Sequence, residues 1–260
     1  MTKPLFDRHA VVTGGGRGIG RAIAEKLAAL GASLTLIGRD RSRLFETVQA
    51  VGGGAGCDVQ VCDVSDEAQV TRTFAAIAQA RHRVSILINN AGVAKAAKLS
   101  ATDSRLWQEM LATNLTGTYL CTRAALPALL EAPAAAIVNI ASTAGLVGYP
   151  NVAAYCASKH GVIGLTRALA LELAATRVTV NAVCPGYTDT EMAQSAIANI
   201  VAKSGKSESE ARSMLATRNP QRRLIAPAEV AATVAWLCLP ESRSINGQAI
   251  SVSGGEVLVG

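Results

Sequence analysis

"HAVVTGGGRGIGRAIAEKLAALG", residues 9–31, is the stretch on which the fold turns. His9 to Thr13 form a short run rich in β-branched residues. A glycine turn follows, and apolar residues then recur at helical spacing up to Gly31, a natural helix stop. A strand that passes through a glycine turn directly into a helix leaves the first helical N–H groups free. It also aims the positive end of the helix dipole at the turn, which suits a pyrophosphate. Glycines at 14, 18 and 20 let the backbone turn tightly and approach such a ligand. No G-K-[ST] follows, so this is not a nucleotide-hydrolysing P-loop. The expected dinucleotide contacts in this loop are Gly14, Gly16, Arg17, Gly18, Ile19 and Gly20.

Outward from this unit the same alternation continues. "SLTLI" (33–37) is a second strand, followed by a helix from about Asp40 to Val51. "CDVQVCDV" holds the third strand, with a helix from Asp66, and "VSILINN" (84–90) is the fourth strand. The pattern then predicts one long helix over roughly 103–130, a fifth strand "AAIVNIAS" (135–142) and a helix over about 152–175. "RVTVNAVCPG" and "QAISVSGG" read as the sixth and seventh strands. Strands alternating with helices predict a parallel sheet covered on both faces, a doubly wound α/β fold. The expected organisation is a single Rossmann-type domain over residues 1–260. One polar, basic, weakly helical stretch, 187–227, breaks the rhythm and is expected to form a substrate lid.

Composition narrows the function classes. Half the residues are hydrophobic and 17% are charged, so a large core is expected and disorder is not. The net charge of +6 is not drawn into a basic track; it gathers around Arg17–Arg43 and Lys203–Arg223, which suits phosphate-bearing small molecules better than nucleic acid. None of the six cysteines forms a C-x-x-C, and His9, His82 and His160 are scattered, so no metal site is expected. The N-terminal residues lack a signal-peptide pattern and no apolar run reaches membrane-spanning length, so a cytoplasmic protein away from the membrane is expected.

The end of the second strand carries the cofactor reading. An acid there would bind the ribose 2′-hydroxyl of NAD(H). The sequence has Gly38, which leaves room, and then Arg39, which can fork onto a 2′-phosphate; Arg17 points the same way. NADP(H) is therefore favoured. NAD(H) is the alternative, should Asp40 reach back to the ribose. Asp63 and Val64 end the third strand where an adenine would rest, a helix N-cap being the plain alternative for Asp63. "INNAG" (88–92) supplies Asn89 to tie strand ends together, Asn90 beside it, and Ala91 and Gly92 to leave space for a ribose.

T-G-x-x-x-G-I-G, N-N-A-G, a serine thirteen residues before Y-x-x-x-K, and P-G after the next strand stand in order along the chain. Together they resemble the short-chain dehydrogenase/reductase family over essentially its whole length. The resemblance implies the strand order 3-2-1-4-5-6-7 and a homotetramer. It places a catalytic tetrad on Asn114, Ser142, Tyr155 and Lys159, and a nicotinamide-binding turn on Pro185, Gly186, Thr188 and Thr190. The chemistry accounts for these residue types. A free tyrosine has a pKa near 10 and rarely gives up a proton at neutral pH. An ammonium close by is expected to stabilise the phenolate and lower that value, so that Tyr155 serves as general acid in ketone reduction and base in alcohol oxidation. Ser142 would polarise the carbonyl. Lys159 would also hold the nicotinamide ribose, and Asn114, in mid-helix, would keep a water linking Lys159 to solvent. Cys156 and Cys184 read as packing residues.

The substrate reading rests on two segments. "TAGLVGY" (143–149) is small and apolar, which disfavours a sugar. Lys203, Lys206, Arg212, Arg218, Arg222 and Arg223 in the lid outnumber Glu208 and Glu210. A basic rim around an apolar slot suits a 3-oxoacyl chain carried on CoA or an acyl carrier protein, and resembles the 3-oxoacyl reductase and 3-hydroxyacyl-CoA dehydrogenase branch. A catabolic dehydrogenase of a hydroxyacyl-CoA or a cyclic secondary alcohol is the second reading. A non-catalytic dinucleotide sensor is a third, from another class; such a protein can lose its tyrosine or lysine, and this chain keeps both.

Overall fold

The computed structural model of the chain describes residues 3–52, 56–80 and 83–258; Met1, Thr2 and His82, which entered the sequence reading, lie outside the described residues. Strands β1 (His9–Thr13), β2 (Ser33–Gly38), β3 (Cys57–Val61), β4 (Val84–Asn89), β5 (Ala135–Ile140), β6 (Val178–Pro185) and β7 (Ala249–Val252) form one sheet, in the order β3-β2-β1-β4-β5-β6-β7. Every pairing is parallel. This is the expected Rossmann-type order. β1, β4 and β5 are buried along their whole length, which is why they read as mostly apolar runs without regular alternation.

Helices α1 (Gly18–Ala29), α2 (Arg41–Ala50) and α9 (Pro227–Leu237) cover one face through Ile23, Leu27, Leu44, Val48, Val230 and Val234. Helices α3 (Glu67–Gln79), α5 (Gly117–Glu131) and α6 (Ala153–Glu172) cover the other, through Val70, Phe74, Leu120, Leu129 and Ala170. Asp40 and Asp66 accept backbone N–H bonds as the N-caps of α2 and α3. Asp66, and not Asp63, therefore starts α3; Asp63 instead closes a tight turn by accepting from Ser65 N and Ser65 Oγ.

Two expectations are refined. The helix over 103–130 runs through as expected but is not uniform: α4 (Ser104–Leu111) widens into a π-turn (Ala112–Thr116) that leads directly into α5. The widened turn buries Asn114 and lets its carboxamide reach the Val93 backbone, so the ladder widens where a side chain is turned to a special use. The 187–227 stretch is more helical than expected. It holds α7 (Glu191–Ser204) and α8 (Glu208–Ala216), the latter opened by a Ser207–Glu210 capping box. Its two ends are stitched together, with Ile225 N donating to Tyr187 O and Asp189 N to Ile225 O, both at 2.9 Å. Ile197, Ala211, Leu215 and Leu224 give it an apolar cluster of its own. Among the described residues no helix is long and apolar enough to cross a membrane.

Candidate active site

The site lies at the carboxyl ends of β1, β4, β5 and β6, where loops to opposite faces of the sheet diverge. The glycine loop is held from beneath. Thr13 Oγ1 accepts from Asn90 N and Ala91 N at 2.9 and 3.0 Å, while Asn90 Nδ2 donates to Thr13 O and Gly14 O. The turn into α1 demands glycine at Gly18, whose φ is +52°. Gly20 is excluded from substitution by contact: a Cβ there would lie 2.1 Å from Gly14 O. Arg17, at the N-cap of α1, makes no capping bond with its side chain, and the first turn contains no acid. The free N–H groups of α1 thus meet no internal anion. This cradle fits a dinucleotide pyrophosphate.

Around the loop stand the arginines. Gly16 packs on the backbone of Arg43, with a Cβ at Gly16 only 3.1 Å from Arg43 C. Arg17 and Arg43 share the carboxylate of Glu191, while Arg39 Nη1 lies 3.7 Å from Asp63 Oδ2. Asp40 caps α2, its Oδ1 accepting from Ser42 N and Arg43 N. Arg43 and Glu191 were not singled out by the sequence reading. Arg43 reaches the loop through the packing of α2, and Glu191 is brought from far along the chain; only the cluster of arginines at 39–43 hinted at the first.

Beyond the end of β5, Ser142 leaves the sheet in extended conformation and caps a 3-10 turn (Thr143–Gly145), its Oγ accepting from Ala144 N at 3.1 Å. That turn is pressed against α6: a Cβ at Gly145 would stand 2.7 Å from Lys159 O. Gly145, also not singled out from sequence, thereby seats the Ser142 turn against the helix that carries Tyr155, close enough for the Ser142 hydroxyl to favour the phenolate. Tyr155 and Lys159 share one face of α6, as their four-residue spacing requires. Lys159 is 5% exposed. Its Nζ donates to Ile140 O at 2.7 Å and lies 5.9 Å from the centre of the Tyr155 ring.

The electrostatics correct one expectation. Burial pushes the Tyr155 phenol up to about 12, opposed by the Ser142 hydrogen bond, and does not leave it lowered by Lys159. Lys159 is itself pulled down to about 8 by burial, and its ammonium lies 5.9 Å from the centre of the ring while bonded to the Ile140 carbonyl. Asn114 also differs from a simple mid-helix residue. Its Oδ1 accepts from Val93 N at 2.8 Å, and its Nδ2 donates to Val93 O and Ser158 Oγ at 3.0 Å. Gly92 lies between it and Lys159, a Cβ there falling 3.2 Å from Asn114 Oδ1 and 3.6 Å from Lys159 Nζ. Cys184 is buried and burial pushes its thiol up to about 12, the state of a packing residue.

On the β6 side, Gly186 follows Pro185, Thr188 is buried and donates to Gly186 O at 3.0 Å, and Thr190 lies against Gly18. The turn expected to hold the nicotinamide end therefore also touches the pyrophosphate loop. Across the cleft, Tyr149 donates to Glu256 Oε1 at 2.8 Å, and the Arg218 guanidinium stacks 4.8 Å over the Tyr149 ring. The basic rim expected of the lid is partly consumed: Arg212 pairs with Asp189 and Arg223 with Glu229. Among the described residues no cluster of His, Cys, Asp or Glu could hold a metal ion.

A doubly wound parallel sheet, a glycine loop opening a helix, and hydroxyl, phenol and ammonium gathered beside it define a dinucleotide-dependent oxidoreductase. The chain belongs to the short chain dehydrogenase family, whose pattern matches residues 8–200. It is 43% identical over 249 residues to a Streptomyces violaceoruber protein provisionally named ketoacyl reductase 1 of the granaticin polyketide synthase, covering 95% of this chain and 92% of that one. It is 35% identical to the 3-oxoacyl-[acyl-carrier-protein] reductase of Synechocystis, covering 98% of each. A crystal structure of a tryptophan variant of actinorhodin polyketide ketoreductase with NADPH superposes with a TM-score of 0.92 at 37% identity, covering 98% of this chain and 99% of that one. The protein is an oxidoreductase that interconverts a ketone and a secondary alcohol with a nicotinamide dinucleotide.

Proposed function

We propose that the protein is an NADP(H)-dependent reductase of 3-oxoacyl thioesters, carried on CoA or an acyl carrier protein. The observation that carries the catalytic reading is the buried Lys159 ammonium 5.9 Å from the centre of the Tyr155 ring, with the Ser142 turn pressed on the same helix. Tyr155 gives its proton to the ketone oxygen as the alcohol forms. Ser142 holds the phenol in place and donates to the same oxygen. A phenol held near 12 keeps its proton at neutral pH, the state a general acid needs. Lys159 supplies positive charge as the phenol gives up its proton, and its burial keeps that charge strong. Asn114 anchors the Val93 loop against Ser158, and its Oδ1 retains an acceptor site for a water on the path from Lys159 to solvent. NADP(H), when bound, supplies the hydride. Gly14, Gly16, Gly18, Ile19 and Gly20 hold its pyrophosphate, and Arg17 and Arg39 its 2′-phosphate. Asp63 and Val64 lie against the adenine, Asn90, Ala91 and Gly92 against the ribose, and Pro185, Gly186, Thr188 and Thr190 against the nicotinamide end.

The 3-oxoacyl names of the relatives and the remaining lid cations support the thioester. Oxidation or reduction of a flat cyclic secondary alcohol or ketone is the second reading, favoured by the Tyr149 and Tyr187 rings beside the cleft and by the neutralised Arg212 and Arg223. We place the protein in the cytoplasm as a homotetramer of single-domain chains, with 187–227 as the lid. Initial rates with a short 3-oxoacyl-CoA, run side by side with NADPH and NADH, test the proposal. Fast turnover with NADPH preference supports it. Turnover of cyclic ketones alone selects the second reading.

A further inference from the structure

Three charged side chains from three separate elements meet at the rim of the glycine loop. Arg17 belongs to the loop, Arg43 to the first turn of α2, and Glu191 is the first residue of α7, the leading helix of the 187–227 segment. Arg17 Nη1 donates to Glu191 Oε2 at 2.7 Å, and Arg43 Nη1 reaches both carboxylate oxygens, at 2.5 and 2.6 Å. Asp40 Oδ2 is a weaker partner for Arg43, at 3.4 Å. One residue before Glu191, Thr190 rests on the loop, its Cγ2 3.2 Å from where a Cβ on Gly18 would stand. The first turn of α7 is thus seated on the cofactor loop by one packing contact and one shared carboxylate.

Glu191 and, more weakly, Asp40 balance the charge of the two guanidinium groups without using all of their donors. Each guanidinium carries five N–H donors, so donors remain for a second anion. Arg43 lies in the first turn of the helix that follows β2, and the end of that strand is where the adenosine ribose of a dinucleotide would lie. A phosphate dianion gains more from two guanidinium groups than a carboxylate monoanion does, and the two anions repel each other at close range.

We propose that Glu191 is a specificity-determining latch that competes with the cofactor's 2′-phosphate for Arg17 and Arg43, so that the phosphate frees the first turn of the substrate lid. The inference rests on the reading that NADP(H) binds at this loop. A cofactor without the phosphate leaves the latch closed. By linkage, whatever the latch gives the closed lid is taken from phosphate binding. All three side chains are substantially exposed, at 58% for Arg17, 53% for Glu191 and 38% for Arg43. The competition is therefore screened, and the effect is several-fold and not orders of magnitude.

The test is calorimetric binding of 2′,5′-ADP and 5′-AMP to the full chain and to its Glu191→Gln and Glu191→Asp variants at low salt. The preference for 2′,5′-ADP over 5′-AMP is expected to rise about three- to tenfold in Glu191→Gln, with 5′-AMP affinity unchanged and Glu191→Asp closer to wild type. Hydrogen exchange in the first turn of α7 is expected to rise on adding 2′,5′-ADP but not 5′-AMP. In Glu191→Gln it is expected to be high without ligand. A wild-type chain with no preference for 2′,5′-ADP overturns the NADP(H) reading itself. A wild-type preference that Glu191→Gln leaves unchanged or lowers overturns the latch alone, as does exchange in α7 that ignores the phosphate.

Discussion

Lys159 Nζ lies 5.9 Å from the centre of the Tyr155 ring and gives a hydrogen bond to the Ile140 carbonyl, not to the phenol oxygen. The ammonium therefore acts on Tyr155 through space while being positioned by the end of β5. Its burial pulls it down to about 8, whereas the phenol is pushed up to about 12. The two groups consequently lose their protons in the order lysine first, tyrosine second.

A pH dependence follows with a definite sign. In the reductive direction the protonated phenol persists to high pH, so the limb within reach belongs to Lys159. Reductive kcat/KM is expected to be highest below about pH 8 and to fall as pH rises through that value, because the loss of the ammonium removes the charge that receives the developing phenolate. A pH–rate profile checks this; a profile flat to pH 10 would separate Lys159 from the step.

Tyr155→Phe keeps the ring and removes the proton. Turnover is expected to fall by about 10²–10⁴-fold or more, with cofactor affinity within a few-fold of wild type. Stopped-flow rates and cofactor titration check it, and substantial residual turnover would contradict the acid role.

Gly145→Ala tests the packing that delivers Ser142. The added methyl meets Lys159 O at 2.7 Å and Ile163 Cδ1 at 2.9 Å, so the turn carrying Ser142 must move off α6. Reduced kcat is expected with cofactor binding preserved, together with a stability loss of about 1–3 kcal/mol. Denaturant melts alongside kinetics separate the two effects.

Asn114→Ala removes three hydrogen bonds at a buried position. It leaves the Val93 N–H and carbonyl groups without their side-chain partner, while the Ser158 hydroxyl keeps its bond to Tyr155 O. A stability loss of about 1–3 kcal/mol is expected for each group left unsatisfied, although part is recovered if water enters. Equilibrium unfolding checks it.

Arg39→Ala is expected to lower NADPH affinity by about tenfold while leaving NADH nearly unchanged, and to flatten the salt dependence of NADPH binding. Equal effects on both cofactors would remove Arg39 from the 2′-phosphate. The Asp63 pairing at 3.7 Å is long enough that the guanidinium remains available to a stronger anion.

What was legible in the sequence was what short range decides. A wholly buried strand such as β1 keeps an apolar centre, Ala10–Val12, with no solvent-facing polar alternation, so such strands were legible as short β-branched runs. Gly18 is required by a local backbone angle, and Tyr155 and Lys159 share a face because a helix repeats every 3.6 residues. The π-turn at Asn114 was not legible, because its residues have ordinary helical character. It forms where the side chain is drawn to Val93, twenty-one positions away. The charge of the lid was misleading for a similar reason: Arg212 and Arg223 count as basic in the chain but are met by Asp189 and Glu229 in space.

The sequence by itself thus determined the doubly wound fold, the glycine cradle and the residue types of the candidate catalytic group, since each depends on periodicity or on the conformation of a few neighbouring residues. Only the tertiary structure decided the electrostatics: which way Tyr155 and Lys159 shift, that Ile140 holds the ammonium, and that Glu191 joins Arg17 and Arg43 across 174 and 148 positions of chain. Those outcomes depend on burial and on distances between elements, and neither is written in the order of the residues.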